Sequence, residues 1–291
     1  MASQLKSLFH DPAYYAKSFK SYAALSSKFS VLANWGDTVF GEAVVAKLRV
    51  NVDEGDSLRV LGIGSGSGEM DFKMLTKLLQ RYPSINNRVV EPSQDHVAMY
   101  RSLVEARAPQ LHGVVCDWRQ QTIDEYRKAG DGAKFHFISS IHSIYYADDV
   151  DSSLMYLYDR LEAGGMLLVI TVSDDSGYWR LWNRFSFFQD HLMKFLSSAH
   201  VRGCFERNQV PYTQHKQSSH VDITKCFVEG SEEGGLVVDF LTHVLKFKET
   251  APAELQEEVM SYMGGSECSE KTTDGQVLFN NNWDAVVVQK Q

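Results

Sequence analysis

Basic runs, long apolar stretches and paired cysteines are all scarce in this 291-residue sequence, and each scarcity removes a class of function. The 29 Lys+Arg residues are outnumbered by 37 Asp+Glu, for a formal net charge of −8, and no run of Lys or Arg exceeds two residues. That leaves no basic face for duplex nucleic acid or an anionic membrane surface, so neither is expected as a partner. The longest apolar stretch, Met166 to Val172, falls far below the ~18 residues of a membrane helix. The N-terminal MASQLKSLFHDPAYYAKSF has no apolar core followed by a small-residue cleavage site, so no secretory signal is expected and the cytosol is the default location. Cys116, Cys204, Cys226 and Cys268 form no CxxC pair and have no histidine at zinc-ligand spacing. They read as reduced thiols, and no metal site is expected. The six prolines are dispersed, so no linker is visible, and there is no internal repeat. What remains is a globular composition: 44% hydrophobic and 12% aromatic residues can build a substantial core of one large domain or two small ones.

From residue 57 to about 172, short β-type runs alternate with longer runs of helical period, which argues for βαβ units and a parallel sheet. The expected strands are 58–63, 88–91, 114–117, 135–140 and 166–172, the last introduced by Gly164-Gly165. Helices are expected from Glu69, with Phe72, Leu75 and Leu79 on one face, through Met99, Leu103 and Val104, and through Leu154, Leu157 and Leu161. The runs 215–224 and 284–289 supply two further strands. Residues 1–50 read as helical, with Phe9, Tyr14, Tyr15, Phe19 and Tyr22 forming an aromatic face that must pack on something. Lying before the first strand, that face is expected to cover the carboxyl edge of the sheet, where open α/β folds bind ligands.

The first strand runs into Gly64-Ser65-Gly66-Ser67-Gly68, and a helix follows. A glycine-rich turn in that place lets backbone amides approach a ligand closely. Because position 69 is Glu, the dinucleotide fingerprint G-x-G-x-x-G is not met, and the lysine of a phosphate-binding loop is missing. A nucleotide-dependent oxidoreductase is therefore the weakest enzyme reading. Glu91 lies 23 positions after Gly68 at the end of the next strand, where a carboxylate reaches both hydroxyls of a ribose. Glu69 beside the loop repels a pyrophosphate but not a ligand carrying a cationic amino acid, and S-adenosylmethionine is such a ligand. Strand, loop, helix, strand and glutamate together resemble the class I S-adenosylmethionine-dependent methyltransferases.

Further segments resemble the histamine N-methyltransferase family within that class, over essentially the whole chain. They are Ser7-Leu8-Phe9 with Tyr15 and Ser18-Phe19, Val89-Val90-Glu91-Pro92-Ser93, Ile144-Tyr145-Tyr146, Ser176-Gly177 with Leu181-Trp182, Asp239-Phe240-Leu241-Thr242, Ala251-Pro252, and Val277-Leu278-Phe279-Asn280-Asn281. The resemblance implies a Rossmann-like α/β fold: a seven-stranded, mostly parallel sheet with helices on both faces and a helical N-terminal cover. It implies one methyltransferase domain over 1–291, with the cover in 1–50, a cofactor-binding core in 57–172, and substrate-site insertions and closing strands in 173–291. The implied cofactor is S-adenosylmethionine, released as S-adenosylhomocysteine. Gly64, Ser65, Gly66, Glu91 and Pro92 would hold it, with His96, Ile123 and Ile141 around its adenine and ribose; the family has polar residues at positions 96 and 123. Phe9, Tyr15, Phe19, Tyr145, Tyr146, Trp182, Phe187 or Phe188, and Phe240 would line an aromatic pocket for a small-molecule acceptor, with Asn281 meeting its ring. Aromatic faces suit methyl transfer, because they attract a sulfonium and any cationic acceptor. The protein is expected to act as a monomer.

Three positions depart from the family. Its N-terminal glutamate, which pairs with the ammonium of histamine, is Lys28 here, with Asp37 and Glu42 as substitute acids. His142 stands in place of a glutamine that touches the imidazole, and His243 in place of an acid. Two enzyme readings follow: an N-methyltransferase of histamine or a related imidazole, or the same chemistry on a carboxylate-bearing acceptor recognised by Lys28. A non-catalytic cofactor-binding homologue is the third. A neutral imidazole already presents a lone pair, so Asn281 or His142 need only fix its tautomer. An aliphatic ammonium would need a base, His142, His243 or a tyrosine.

Overall fold

The computed structural model describes residues 5–53 and 55–291; residues 1–4 of the expected N-terminal cover lie outside the described residues. Ten strands form among the described residues: β1 (Leu58–Ile63), β2 (Ile85–Val90), β3 (Val114–Arg119), β4 (Phe135–Ile141), β5 (Leu161–Val172), β6 (Tyr212–Gln217), β7 (His220–Asp222), β8 (Ser269–Lys271), β9 (Val277–Asn280) and β10 (Trp283–Gln289). Seven of them make one sheet in the order β3-β2-β1-β4-β5-β10-β6. The pairs β1·β2, β2·β3, β1·β4 and β4·β5 are parallel, with Ile63 opposite Val90 on one side and Ser140 on the other. The centre of this sheet is apolar on both faces, as a helix-covered parallel sheet requires. Leu61, Ile138, Leu167, Leu168 and Ile170 are all fully buried.

The chain divides into two compact units. One comprises Met1–Val31, Val172–Ser197 and Lys216–Asp284; the other comprises Leu32–Thr171, Ser198–His215 and Ala285–Gln291 and holds most of the large sheet. In the first unit, Asp11 caps the helix Pro12–Leu25 by accepting from the Tyr14 amide, and Pro12 begins the helix where a missing N–H costs nothing. The three-stranded sheet β7-β9-β8 is antiparallel and belongs to the same unit. An isolated bridge joins Ser7 to Val244, and another joins Ser26 to Val221.

Four details of the sequence reading change. The run 215–224 is not one strand: it breaks at Ser218-Ser219, where the side-chain oxygen of Asn282 takes the Ser219 amide, and the two pieces enter different sheets. Leu161 does not continue the preceding helix, which is Val150–Asp159, but opens β5. Gly164-Gly165 lies inside that strand at a shift of register, and Gly164 is left-handed, with a Cβ placed there falling 2.2 Å from the Arg49 carbonyl oxygen. Finally, two helical faces are phased differently. Helix Gln94–Ala106 buries Val97 and Tyr100 while Met99 is exposed, and helix Glu69–Leu79 buries Met74, Leu75, Leu78 and the charged Asp71.

Candidate functional site

The residues expected around a cofactor gather at the carboxyl ends of β3, β2, β1 and β4, which are neighbours in the large sheet. Gly64, Gly66 and Gly68 all take left-handed backbone, at φ of +61°, +56° and +88°, which side-chain-bearing residues rarely adopt. At Gly64 the reason is also spatial: a Cβ would stand 2.3 Å from Cβ of Ser143, whose hydroxyl donates to the Ile63 carbonyl at 2.6 Å. Around Gly66, by contrast, nothing lies within 4 Å of a Cβ, so the loop opens outward there.

Glu91 follows β2 directly and is buried. Its Oε2 accepts the Gly66 amide at 2.9 Å, its Oε1 accepts the Ser93 amide at 3.0 Å, and His96 Nδ1 lies 3.5 Å from Oε1. Burial works against the charge, but the bonds from His96, Ser93 and Gly66 prevail and hold the carboxyl below its ordinary range. The same contact with Glu91 raises the imidazole of His96. Pro92 is exposed and Ser65 half-buried. Ile123 is buried as the first residue of helix Ile123–Ala129, whose Thr122/Glu125 capping box fixes its start. Ile141 ends β4. His142 comes next at φ +50°, its amide bonded to the Ile170 carbonyl at 2.8 Å, and on the following turn the Tyr145 and Tyr146 rings meet edge-on at 4.8 Å.

This donor set fits a ribose-bearing ligand with a cationic end. Glu91 Oε2 has a second lone pair beyond the Gly66 amide it already accepts, so a ribose hydroxyl can be taken there without breaking the loop. Gly66 leaves open the space a side chain would fill. Glu69, held by the Ser67 hydroxyl at 2.6 Å, puts negative charge at the helix N-terminus, where a phosphate would otherwise bind.

The aromatic residues of the first unit come together around Phe240. Its ring lies 4.3 Å from Tyr22, 5.7 Å from Phe19, 5.9 Å from Tyr15 and 5.6 Å from His243. Phe9 stacks on both Tyr15 and His243, and Trp182 lies 5.6 Å from His243. Phe187 does not join them: it is 64% exposed and packs on Phe185 and Phe188. Burial pushes His243 down to about 4, so its ring is neutral at pH 7 and a weak base. Asn281 is buried, and its amide donates to the Tyr22 hydroxyl at 2.8 Å and to Ser26 Oγ at 3.1 Å. Ser26 Oγ also accepts the Lys28 amide at 3.2 Å. Lys28 is half-buried, its ammonium 5.8 Å from the Phe29 ring, with no carboxylate at ion-pair distance among the described residues. Burial lowers it to about 7. Asp37, one of the substitute acids, is paired with Lys73 at 2.8 Å, and Glu42 is exposed.

Sequence reasoning missed Tyr178, whose hydroxyl lies 3.4 Å from His243 Nε2, and it placed Tyr22 on the aromatic face without a site role. The spacing of Tyr15, Phe19 and Tyr22 marks them as one helical face, which was the available signal for Tyr22. Tyr14, on the same helix, turns away and donates to Asp239 Oδ2 at 2.8 Å.

Residues 39–215 match the family model described as a methyltransferase domain. The chain is 34% identical to the histamine N-methyltransferase of Xenopus tropicalis over 300 residues, covering 100% of both chains, and 33% identical to that of Rattus norvegicus over 298 residues, covering 99% of both. The chain belongs to the histamine N-methyltransferase family. Among solved structures, the YcgJ protein from Bacillus subtilis aligns with a TM-score of 0.56 at 14% identity, over 90% of this chain and 99% of that one, and shares the fold. As a member of the histamine N-methyltransferase family this chain is an S-adenosylmethionine-dependent methyltransferase on a class I fold, with the seven-stranded, mostly parallel sheet expected. No helix among the described residues is long and apolar enough to cross a membrane.

Proposed function

We propose that the chain methylates a ring nitrogen of histamine or a closely related imidazole, the whole of it working as one methyltransferase domain. The observation that carries this reading is Asn281: a buried amide, fixed by Tyr22 and Ser26 beside the rings gathered on Phe240, suited to hold the distal nitrogen of a small heteroaromatic ring. The names of the full-length relatives support the same acceptor. Bound S-adenosylmethionine supplies an electrophilic methyl group on a sulfonium. Glu91 binds the ribose hydroxyls, the turn Gly64-Ser65-Gly66 receives the amino-acid end beside Pro92, and His96, Ile123 and Ile141 flank the nucleoside. Phe9, Tyr15, Phe19, Trp182 and Phe240 orient the acceptor and exclude water. For a neutral imidazole no strong base is needed, and His142 and His243 act as hydrogen-bonding groups. As part of the same reading the enzyme is a cytoplasmic monomer acting on a small molecule. Its four free thiols suit a reducing compartment, and its negative charge disfavours nucleic acid and anionic membranes as partners.

One observation favours a second acceptor class. Lys28, desolvated and without an acidic partner among the described residues, suits a carboxylate better than an ammonium. Incubating the enzyme with S-adenosylmethionine and, separately, histamine and imidazoles bearing a carboxylate, followed by mass spectrometry, tests both. Addition of one methylene to histamine supports the first reading, and addition to the anionic imidazoles alone supports the second. Lys28→Glu is expected to shift the histamine-to-anion activity ratio about tenfold or more toward histamine, by reversing the sign of one close charge. An unchanged ratio would remove Lys28 from acceptor recognition.

A further inference from the structure

Under the cofactor loop lies a buried polar chain that the methyl-transfer chemistry does not use. Asp71 sits in the first turn of helix Glu69–Leu79 and faces inward. The Tyr100 hydroxyl donates to its Oδ2 at 3.2 Å, and the Asn87 side-chain amide donates to the Tyr100 oxygen at 3.3 Å. Two glycines of the loop region are needed to let this chain approach. A Cβ on Gly62 would stand 2.4 Å from Ser65 Oγ and 2.7 Å from Asp71 Oδ2, so the loop serine and the helix carboxylate converge on the same bare point of β1. A Cβ on Gly68 would stand 2.1 Å from the Tyr100 ring, which passes directly against the far end of the loop. The ring is held from its other side by Trp118, edge-on at 5.2 Å.

We propose that Asp71 is the positioning residue of the cofactor loop: through Tyr100 and the Ser65 side it holds residues 63–68 in the left-handed path that presents the Gly66 amide to Glu91 and leaves the cofactor face open. Asp71 touches the loop from behind and acts through it. A buried acid is a costly choice for that task. Burial raises its carboxyl to about 6, with the hydroxyls of Ser65 and Tyr100 opposing and the negative charges of Glu91 and Glu69 adding. An apolar residue would fill the same space without that cost, but it could neither accept from Tyr100 nor face the Ser65 hydroxyl. The cost is repaid only if those polar contacts are the purpose.

This inference rests on the cofactor reading of the loop, and the test separates the two. S-adenosylhomocysteine affinity is measured by calorimetry on the full-length wild type, Asp71→Ala, Asp71→Asn and Tyr100→Phe, with amide hydrogen exchange of the loop and of β4 and β5 followed on each. Absence of binding to the wild type would refute the cofactor reading itself. With the wild type binding, Asp71→Ala is expected to lose about tenfold to a hundredfold in affinity, as for removal of a charged hydrogen-bonding partner. Its exchange should quicken at residues 63–68 and not in β4 or β5. Asp71→Asn, which still accepts from Tyr100, should recover affinity to within about threefold of wild type, and Tyr100→Phe should weaken binding in the same sense by less. Wild-type affinity in Asp71→Ala, failure of Asp71→Asn to rescue, or exchange quickened equally across the sheet would each overturn the proposal. Should Asp71→Ala fail to fold, the decision passes to Tyr100→Phe, which keeps the ring and loses only the hydroxyl; unaltered affinity and loop exchange there would overturn it.

Discussion

The Glu91 site at the glycine turn and the aromatic cluster built on Phe240 treat buried titratable groups in opposite ways. In the loop region a carboxylate is kept ionised in the interior by backbone amides and one imidazole, all supplied within a few residues of the glycine turn or of Glu91 itself. In the aromatic cluster the titratable groups are pushed toward their neutral forms: His243 falls to about 4 and Lys28 to about 7, while Tyr22 is raised to about 12. Burial leads in all three shifts, and no acid pairs with Lys28 among the described residues. The contrast teaches that charge is retained where nearby amides and an oppositely charged partner solvate it, and surrendered where desolvation is not offset by such a set.

The sharpest way to break this comparison is Glu91→Gln. Its carboxylate bonds are charge-assisted, so S-adenosylhomocysteine affinity should fall by about a hundredfold or more, measured by calorimetry, with the fold retained. Undiminished affinity would mean that the ionised carboxylate serves only the loop. A smaller effect is expected on the other side. Asn281→Ala removes the amide that donates to the Tyr22 hydroxyl and to Ser26, and should cost about 1–3 kcal/mol of stability by chemical denaturation, while raising the KM for the acceptor and leaving cofactor affinity unchanged. A matching loss of cofactor affinity would show that the two regions are not independent in their tasks. The smallest effect concerns Lys28. Because its folded value of about 7 lies below the ordinary 10.5, the folded state holds fewer protons than the unfolded chain between those pH values, and stability rises with pH through that window. Lys28→Met has no such proton to lose, so its melting temperature should exceed that of wild type by a few degrees near pH 7, about what 1 kcal/mol confers on a chain of this size. The difference should shrink toward pH 10. A constant difference across the range would show that Lys28 is solvated in the folded protein.

The loop was legible in the sequence because everything that defines it is near in the chain. The glycine spacing needs left-handed backbone, the strand before it is apolar at every position but Arg59, and Glu91 follows the end of the next strand. The aromatic face of residues 9–22 was equally visible as a helical stripe, whereas its partner Phe240, more than two hundred residues away, was indicated by the family resemblance and not by spacing. Asp71 escaped notice for a different reason. Hydropathy put Phe72, Leu75 and Leu79 on the buried face of that helix, whereas the helix is rotated so that the carboxylate points inward to meet Tyr100. The buried face is Asp71, Met74, Leu75 and Leu78, so the carboxylate shares it with three apolar side chains. The run 215–224 misled in a similar way, since the Ser219 amide turns to donate to the distant Asn282 side chain where the pattern showed one continuous strand.

By itself, then, the order of residues determined the βαβ scaffold, the glycine turn and the place of Glu91 at the end of the second strand, since each depends on backbone propensity or on neighbours a few positions apart. Tertiary structure alone decided which ionisable groups keep their charge. A lysine, two histidines and an aspartate have fixed identities in the sequence, but their proton affinities are set by burial and by partners brought from distant segments, and those exist only once the chain has folded.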